Sequence, residues 1–144
     1  MEQIVKPILL DTGPLVAILN RNDHYHRVCV EQSHLVLGRR FTTWPVLTEA
    51  AWLLRKDNRA IQALMSLVST KAIEVIDLDD IAAGWISNFL NTYSDRQAQL
   101  ADASLMFLAN ELRIETIFTL DVRDFSVYRT EHNSHLQIVP TTLR

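Results

Sequence analysis

The sequence predicts an α/β domain built on a mainly parallel sheet of about five strands, and three observations predict it. Short apolar or β-branched runs alternate with longer stretches of helical periodicity, the pattern of repeated βαβ units. Glycine and proline number only 3 and 4, too few for the many tight hairpins of an all-β fold. A hydrophobic fraction of 48% over 144 residues supports one core, so residues 1–144 are expected to form a single domain.

Each element has its own reason. Ile8, Leu9 and Leu10 centre a first strand over about 7–11, which stops at Asp11, Thr12, Gly13 and Pro14. A short helix over about 13–20 carries Leu15, Ile18 and Leu19. Asp23 can cap a second helix over about 23–37, where Val28, Val30 and Leu35 are apolar. "RFTTW" reads as a second strand over about 39–44. Pro45 suits the first turn of the next helix, about 45–55, with Thr43 or Trp44 as its cap and Val46, Leu47, Ala50, Leu53 and Leu54 apolar. A helix over about 57–70 holds Ile61, Leu64, Met65 and Val68. "AIEVIDL" at about 72–78 alternates and is β-branched, which predicts a third strand. A helix over about 79–92 follows, with Ile81, Trp85, Phe89 and Leu90. "NTYSDRQAQ" reads as a loop, and residues 99–112 as a strongly apolar helix. "ETIFTL" at about 115–120 and "LQIVP" at about 136–140 supply the fourth and fifth strands.

The formal charge is −3, which argues against a strongly basic nucleic-acid coat protein but admits an enzyme whose acidic site carries metal ions. Cys29 is the only cysteine, so an internal disulfide and a cysteine-based zinc site are excluded, and it reads as a small core residue. Glu2 and Lys6 bracket too short an apolar run for a signal peptide, and no run approaches the ~20 residues of a membrane helix. A cytoplasmic protein with no membrane partner is expected.

Four carboxylates stand in related places. Asp11 ends the first strand, and Asp121, in "FTLD", ends the fourth. Both are expected to project into the crevice beyond the carboxyl ends of the strands. Taken singly, Asp11 also fits a helix cap, and Asp121 or Asp124 a turn. Glu49 has Val46 and Leu53 as helical neighbours and Ala50 beside it, at the border of an apolar stripe. A carboxylate there costs free energy unless it is paired, hydrogen-bonded, bound to a metal, or able to snorkel into water. Asp102 lies near the start of the most hydrophobic helix, with Leu105, Met106 and Ala109 at its i+3, i+4 and i+7 positions. The helix dipole favours an acid in a first turn but does not explain those apolar surroundings. Acids that converge repel one another, and a divalent cation such as Mg²⁺ or Mn²⁺, which prefers oxygen ligands, removes the repulsion.

Taken in order, the motifs resemble those of PIN-domain proteins, most closely the VapC-type ribonuclease toxins of bacterial toxin–antitoxin pairs. "LLDTGPLVAIL" resembles the first motif, with Asp11 and the hydroxyl of Thr12. "TTWPVLTEAAWLL" resembles the second, with Glu49, and "LADASLMFLAN" the third, with Asp102. "IFTLDVRDF" resembles the fourth, with Thr119, Asp121 and Asp124. The resemblance spans nearly the whole chain. It implies a three-layer α/β/α domain and a Mg²⁺- or Mn²⁺-dependent nuclease that cuts RNA, with an antitoxin partner and a homodimeric state. Asp11, Glu49, Asp102 and Asp121 match the family's acidic site, and Asp124 matches a more variable fifth position. Gly13 departs from the pattern, since many relatives carry a small hydroxyl or another residue there.

On this reading Asp11, Asp102 and Asp121 hold one or two metal ions, and Glu49 binds a metal or orients the attacking water. Thr12 and Thr119 are candidates to hydrogen-bond and orient carboxylates. Arg96 and Arg123, in loops beside the third and fourth motifs, are candidate RNA contacts, although a solvated role also fits each. His24 and His26 face different sides of a helix and make a poor metal pair. Trp44, Trp52 and Trp85 read as core or subunit-contact residues rather than base-stacking platforms. Two alternatives stay open. A haloacid-dehalogenase-like phosphatase also begins with an Asp after a strand, but its DxDxT pattern needs a second acid where this chain has Gly13. A receiver-like module could bind Mg²⁺ through clustered acids to regulate a partner, without nuclease activity.

Overall fold

Three short strands, β1 (Ile8–Leu10), β2 (Arg40–Thr42) and β4 (Thr116–Phe118), lie beside β3 (Glu74–Val75) and β5 (Gln137–Val139) in one sheet of order β3-β2-β1-β4-β5. This is a computed structural model, and it describes residues 2–141; the remainder of the expected 1–144 domain lies outside the described residues. Every neighbouring pair of strands is parallel, and Leu9 sits in register between Phe41 of β2 and Ile117 of β4. An all-parallel sheet is covered on both faces, which is why "ILL" is apolar throughout and both "ILL" and "TIF" are buried at every position. The helices α1 (Thr12–Leu19), α2 (His26–Leu35), α3 (Trp44–Leu53), α4 (Asn58–Ser69), α5 (Asp80–Thr92), α6 (Leu100–Leu112) and α7 (Val122–Phe125) complete a three-layer α/β/α domain.

The strand order matters for function. The chain builds outward from β1 through β2 to β3, then crosses back to lay β4 on the other side of β1. The direction of winding therefore reverses between β1 and β4. At such a switch point the loops leaving adjacent strands diverge and open a crevice at the carboxyl edge. Asp11 directly follows β1 and Asp121 comes three residues after β4 ends at Phe118, so both acids emerge at that crevice.

The core is dominated by α6, whose Ala101 and whole run from Ala103 to Ala109 are buried. Leu105, Met106 and Leu108 are fully enclosed, and each such side chain contributes about 1.5–3 kcal/mol by leaving water. Buried hydroxyls tie this helix to its neighbours. Ser104 Oγ donates to the Ala101 carbonyl at 2.7 Å, which leaves Thr43 Oγ1 to donate to Ser104 Oγ, also at 2.7 Å. Thr43 is indeed the N-cap residue of α3, but its side chain serves this bridge and makes no cap bond of its own. Gly38 is required where the chain passes Lys6, since a Cβ there would stand 2.2 Å from the Lys6 carbonyl oxygen.

Several sequence expectations need correction. Asp23 does not cap α2. Its carboxylate accepts from the Tyr25 N–H two residues on, at 2.8 Å, forming a turn that delays the helix to His26. The strand expected over 72–78 is regular only at Glu74 and Val75, with one further bond from the Ile76 N–H to the Thr42 carbonyl of β2 at 3.1 Å. Of the two readings of the tryptophans, core or subunit contact, Trp44 and Trp52 lose the first, being 48% and 62% exposed, whereas Trp85 packs partly buried against the core. The loop read in "NTYSDRQAQ" contains a 3₁₀ turn, Ser94–Arg96, and the four-residue α7 was not foreseen because it is too short to show a helical period. Cys29 is buried in the core, as expected.

Candidate active site

Asp11, Glu49, Asp102, Asp121 and Asp124 all line one open cleft of about 650 Å³ at the switch point, with Arg96 at its side. The five acids come from three kinds of local structure. Asp11 and Asp121 are N-cap residues of α1 and α7, in the turns that follow β1 and β4. Asp102 sits in the first turn of α6, and Asp124 in the first turn of α7. Glu49 is carried mid-helix on α3 and is exposed.

The strand-end acids are held by a relay through Thr119. The Asp121 N–H donates to Thr119 Oγ1 at 2.9 Å, and the Thr119 hydroxyl donates onward to Asp11 Oδ2 at 2.7 Å. Asp11 Oδ1 accepts from the Thr12 N–H at 2.8 Å, so both of its oxygens are fixed. Asp121 Oδ1 accepts from the Asp124 N–H at 3.1 Å. Capping a helix and facing the cleft are thus not rival readings here: the same carboxylates do both. Thr12 enters differently from the expectation. Its backbone N–H, not its hydroxyl, meets the carboxylate, and the hydroxyl donates to the Val46 carbonyl at 3.4 Å instead. That bond links the start of α1 to α3, the helix that bears Glu49.

Gly13 packs in the same turn. A Cβ there would lie 3.3 Å from Leu120 Cδ1, so the absence of a side chain lets α1 approach the β4–α7 connection closely. Nothing in the geometry of the acids depends on a hydroxyl at that position.

Asp102 is half-buried at the wall of the cleft, and its Oδ2 accepts from the Tyr128 hydroxyl at 2.9 Å. Sequence reasoning missed Tyr128, because the contact joins residues 26 apart and no motif contains that tyrosine. Asp124 Oδ1 accepts from both Nε and Nη2 of Arg96, at 3.2 and 3.1 Å. Arg96 also reaches the Arg123 carbonyl at 3.4 Å, while Arg123 itself is exposed. One arginine thus faces five acids.

The electrostatics follow. Burial pushes the Asp11 carboxyl up from 3.8 to about 6, aided by the charges of Asp121 and Glu49 and opposed by the bonds from Thr119 and Thr12. Burial and the charge of Asp11 push Asp102 up to about 7, against the bond from Tyr128. Asp121 is raised too, chiefly by burial and then by Asp124, against the N–H bond from Asp124. One carboxylate oxygen each from Asp102, Asp121 and Asp124 lie within 4.8 Å of one another. An all-oxygen donor set of this spacing suits a hard divalent cation, which would offset the repulsion that raises these acids.

With this geometry the comparisons agree. Residues 8–131 match the PIN domain family, and the chain belongs to it. The fold is shared with VapC20 of Mycobacterium tuberculosis, a toxin that cleaves the sarcin-ricin loop, at a TM-score of 0.71 and 19% identity over 76% of this chain and 86% of that one. It is shared also with VapBC2 of Rickettsia felis, solved bound to a DNA fragment from its promoter, at a TM-score of 0.63 and 14% identity over 92% and 96% of the two chains. No curated protein matches the sequence. The strand order differs from the 2-1-3-4-5 order of receiver-like folds, and the dehalogenase-like alternative falls with the family assignment. No helix among the described residues is long and apolar enough to cross a membrane.

Proposed function

We propose that this chain is a metal-dependent endoribonuclease that hydrolyses RNA phosphodiester bonds as the toxin of a type II toxin–antitoxin pair. The observation that carries the reading is the convergence of Asp11, Asp102, Asp121 and Asp124 at the β1/β4 switch point of a PIN domain. Asp102, Asp121 and Asp124, with Asp11 beside them, would hold one or two Mg²⁺ or Mn²⁺ ions. A bound divalent ion supplies a water of lowered pKa and polarises the phosphate. Asp11 is oriented by Thr12 and Thr119 before any substrate arrives, so no reorganisation is needed at the reacting edge. Glu49, exposed at the mouth of the cleft, is free to orient the attacking water or to complete a metal's ligands. Arg96 and Arg123 would meet the RNA phosphates flanking the cut, since the acidic centre itself repels them.

Two further parts of the reading rest on the surface and the fold. Trp44, Trp52 and Leu100 are exposed and line one groove beside the cleft, an apolar face of the kind subunit contacts use, which supports a homodimer. The likeness to VapBC2 supports a small antitoxin partner and, with it, a cytoplasmic setting. The test is cleavage of structured RNAs, with a sarcin-ricin-loop fragment and tRNA among them, in Mg²⁺, Mn²⁺ and EDTA. Cleavage is expected with either metal and lost in EDTA. Cleavage that persists in EDTA, or none on any RNA despite metal binding, would reject the proposal.

A further inference from the structure

Asp11, Asp102, Asp121 and Asp124 each accept a hydrogen bond that sets their carboxylate, but the donors differ in origin. Asp11 and Asp121 are set by backbone N–H groups and by Thr119, all within the matched motifs. Asp124 is set by Arg96. Asp102 is set by Tyr128, which no motif includes.

We propose that Tyr128 is a positioning residue of the metal site, whose hydroxyl holds Asp102 Oδ2 and so fixes the orientation in which the Asp102 carboxylate would join Asp121 and Asp124 in holding a cation. The inference rests on the reading of these acids as a metal site. An aspartate's terminal torsion is broad, so the plane of the Asp102 carboxylate must be set by a partner. Tyr128 is built to be that partner. It is 0% exposed, and the rings of Phe89, Tyr93 and Phe125 surround it at centroid distances of 5.0, 5.0 and 5.2 Å. Tyr93 is itself anchored, accepting from the Arg129 N–H at 3.0 Å. The backbone joins in, since the Tyr128 N–H donates to the Asp124 carbonyl at 3.1 Å. The segment 121–128 therefore supplies two acids of the cluster and the hydroxyl that aims the third.

Tyr128→Phe removes only the hydroxyl and keeps every ring contact. Metal-free wild type and Y128F would be titrated with Mn²⁺ by calorimetry, with near-UV circular dichroism to certify the aromatic packing. Mn²⁺ affinity is expected to fall ~10–100-fold, the usual loss for a group that orients a metal ligand. RNA cleavage should fall with it and recover toward the wild-type kcat at saturating Mn²⁺, a rescue that a mere packing defect would not show. Asp102→Asn should weaken binding strongly, and D102N/Y128F should bind no more weakly than D102N. That double variant leaves no carboxylate facing the lost hydroxyl, so it still reads the coupling if Y128F folds poorly. Wild type and Y128F with equal Mn²⁺ affinity would overturn the assignment alone, as would an equal loss in the D102N background. A wild type that binds no Mn²⁺ would overturn the metal reading and this assignment with it.

Discussion

Asp11 and Glu49 line the same cleft, yet they are held in opposite ways. Asp11 is 7% exposed, and both of its oxygens are bound. Glu49 is exposed, and among the described residues none hydrogen-bonds its side chain. The difference is one of delivery. Sheet register places Asp11 beside the β4 end without help from its own torsions. Glu49 has a longer side chain on a helix, and any contact that ordered it would carry an entropic cost. The strand ends are the preorganised half of the site, and α3 is its adaptable half.

On that division, Asp11→Asn and Asp121→Asn should each lower RNA cleavage by more than ~100-fold, beyond the loss typical of outer partners. Circular dichroism should show the fold intact, and the double variant should lose little more, since the groups act as one site. A folded D11N protein that cuts RNA at the wild-type rate would break the comparison at its root.

The buried half should also govern stability against pH. Asp11 and Asp102 keep their protons up to about 6 and about 7 in the folded protein, whereas the unfolded chain releases them near 3.8. Between those values the folded state binds more protons. The metal-free protein should therefore be most stable at the acid end of this window and lose stability as pH rises through 6 to 7. For Asp11 alone the effect is on the order of 3 kcal/mol. Melting temperatures from pH 5 to 8 in EDTA would show the decline, D11N should flatten it, and saturating Mn²⁺ should offset it. A melting temperature that climbs over this range without metal would contradict the cause assigned to these shifts.

Thr119→Val sharpens the comparison further, because it keeps the shape of the side chain and breaks both bonds of the relay. Urea unfolding should show a loss of about 1–3 kcal/mol from the partners left unsatisfied. Cleavage should fall ~10–100-fold. Retention of full activity would mean that Asp11 is held well enough by Thr12 alone.

The smallest effects are expected on the adaptable side. Glu49→Gln should lower kcat about 10-fold, a loss of ~1.4 kcal/mol, with no change in melting temperature. Asp124→Asn should likewise cost less than D11N, since Arg96 already compensates that carboxylate. If E49Q proves more damaging than D11N in the same cleavage assay, the assignment of the two halves is reversed.

Much of this was legible beforehand. The ordered acids could be found because each stands at a local landmark, a strand end, the first turn of an apolar helix or, for Glu49, the border of an apolar stripe, and such landmarks leave a mark in the residue pattern. The two roles of Asp11 could not be separated that way, and the structure shows why: its carboxylate caps α1 while it faces the cleft. Arg96 and Asp124 are 28 residues apart, so their pairing has no periodic signature. Trp44 and Trp52 look like core in a list of apolar residues, and only the packing of α3 reveals that they face outward.

By itself the sequence determined the alternation of strands and helices, the four motif acids and the absence of cysteine chemistry. These depend on local preference: β-branched runs, helical spacing and the residue types that can hold a cation. The tertiary structure alone decided that β1 lies between β2 and β4, that Thr119 joins Asp121 to Asp11, and that Tyr128 meets Asp102. Those contacts join residues brought together by strand order and burial, and neither quantity is carried by any short window of the chain.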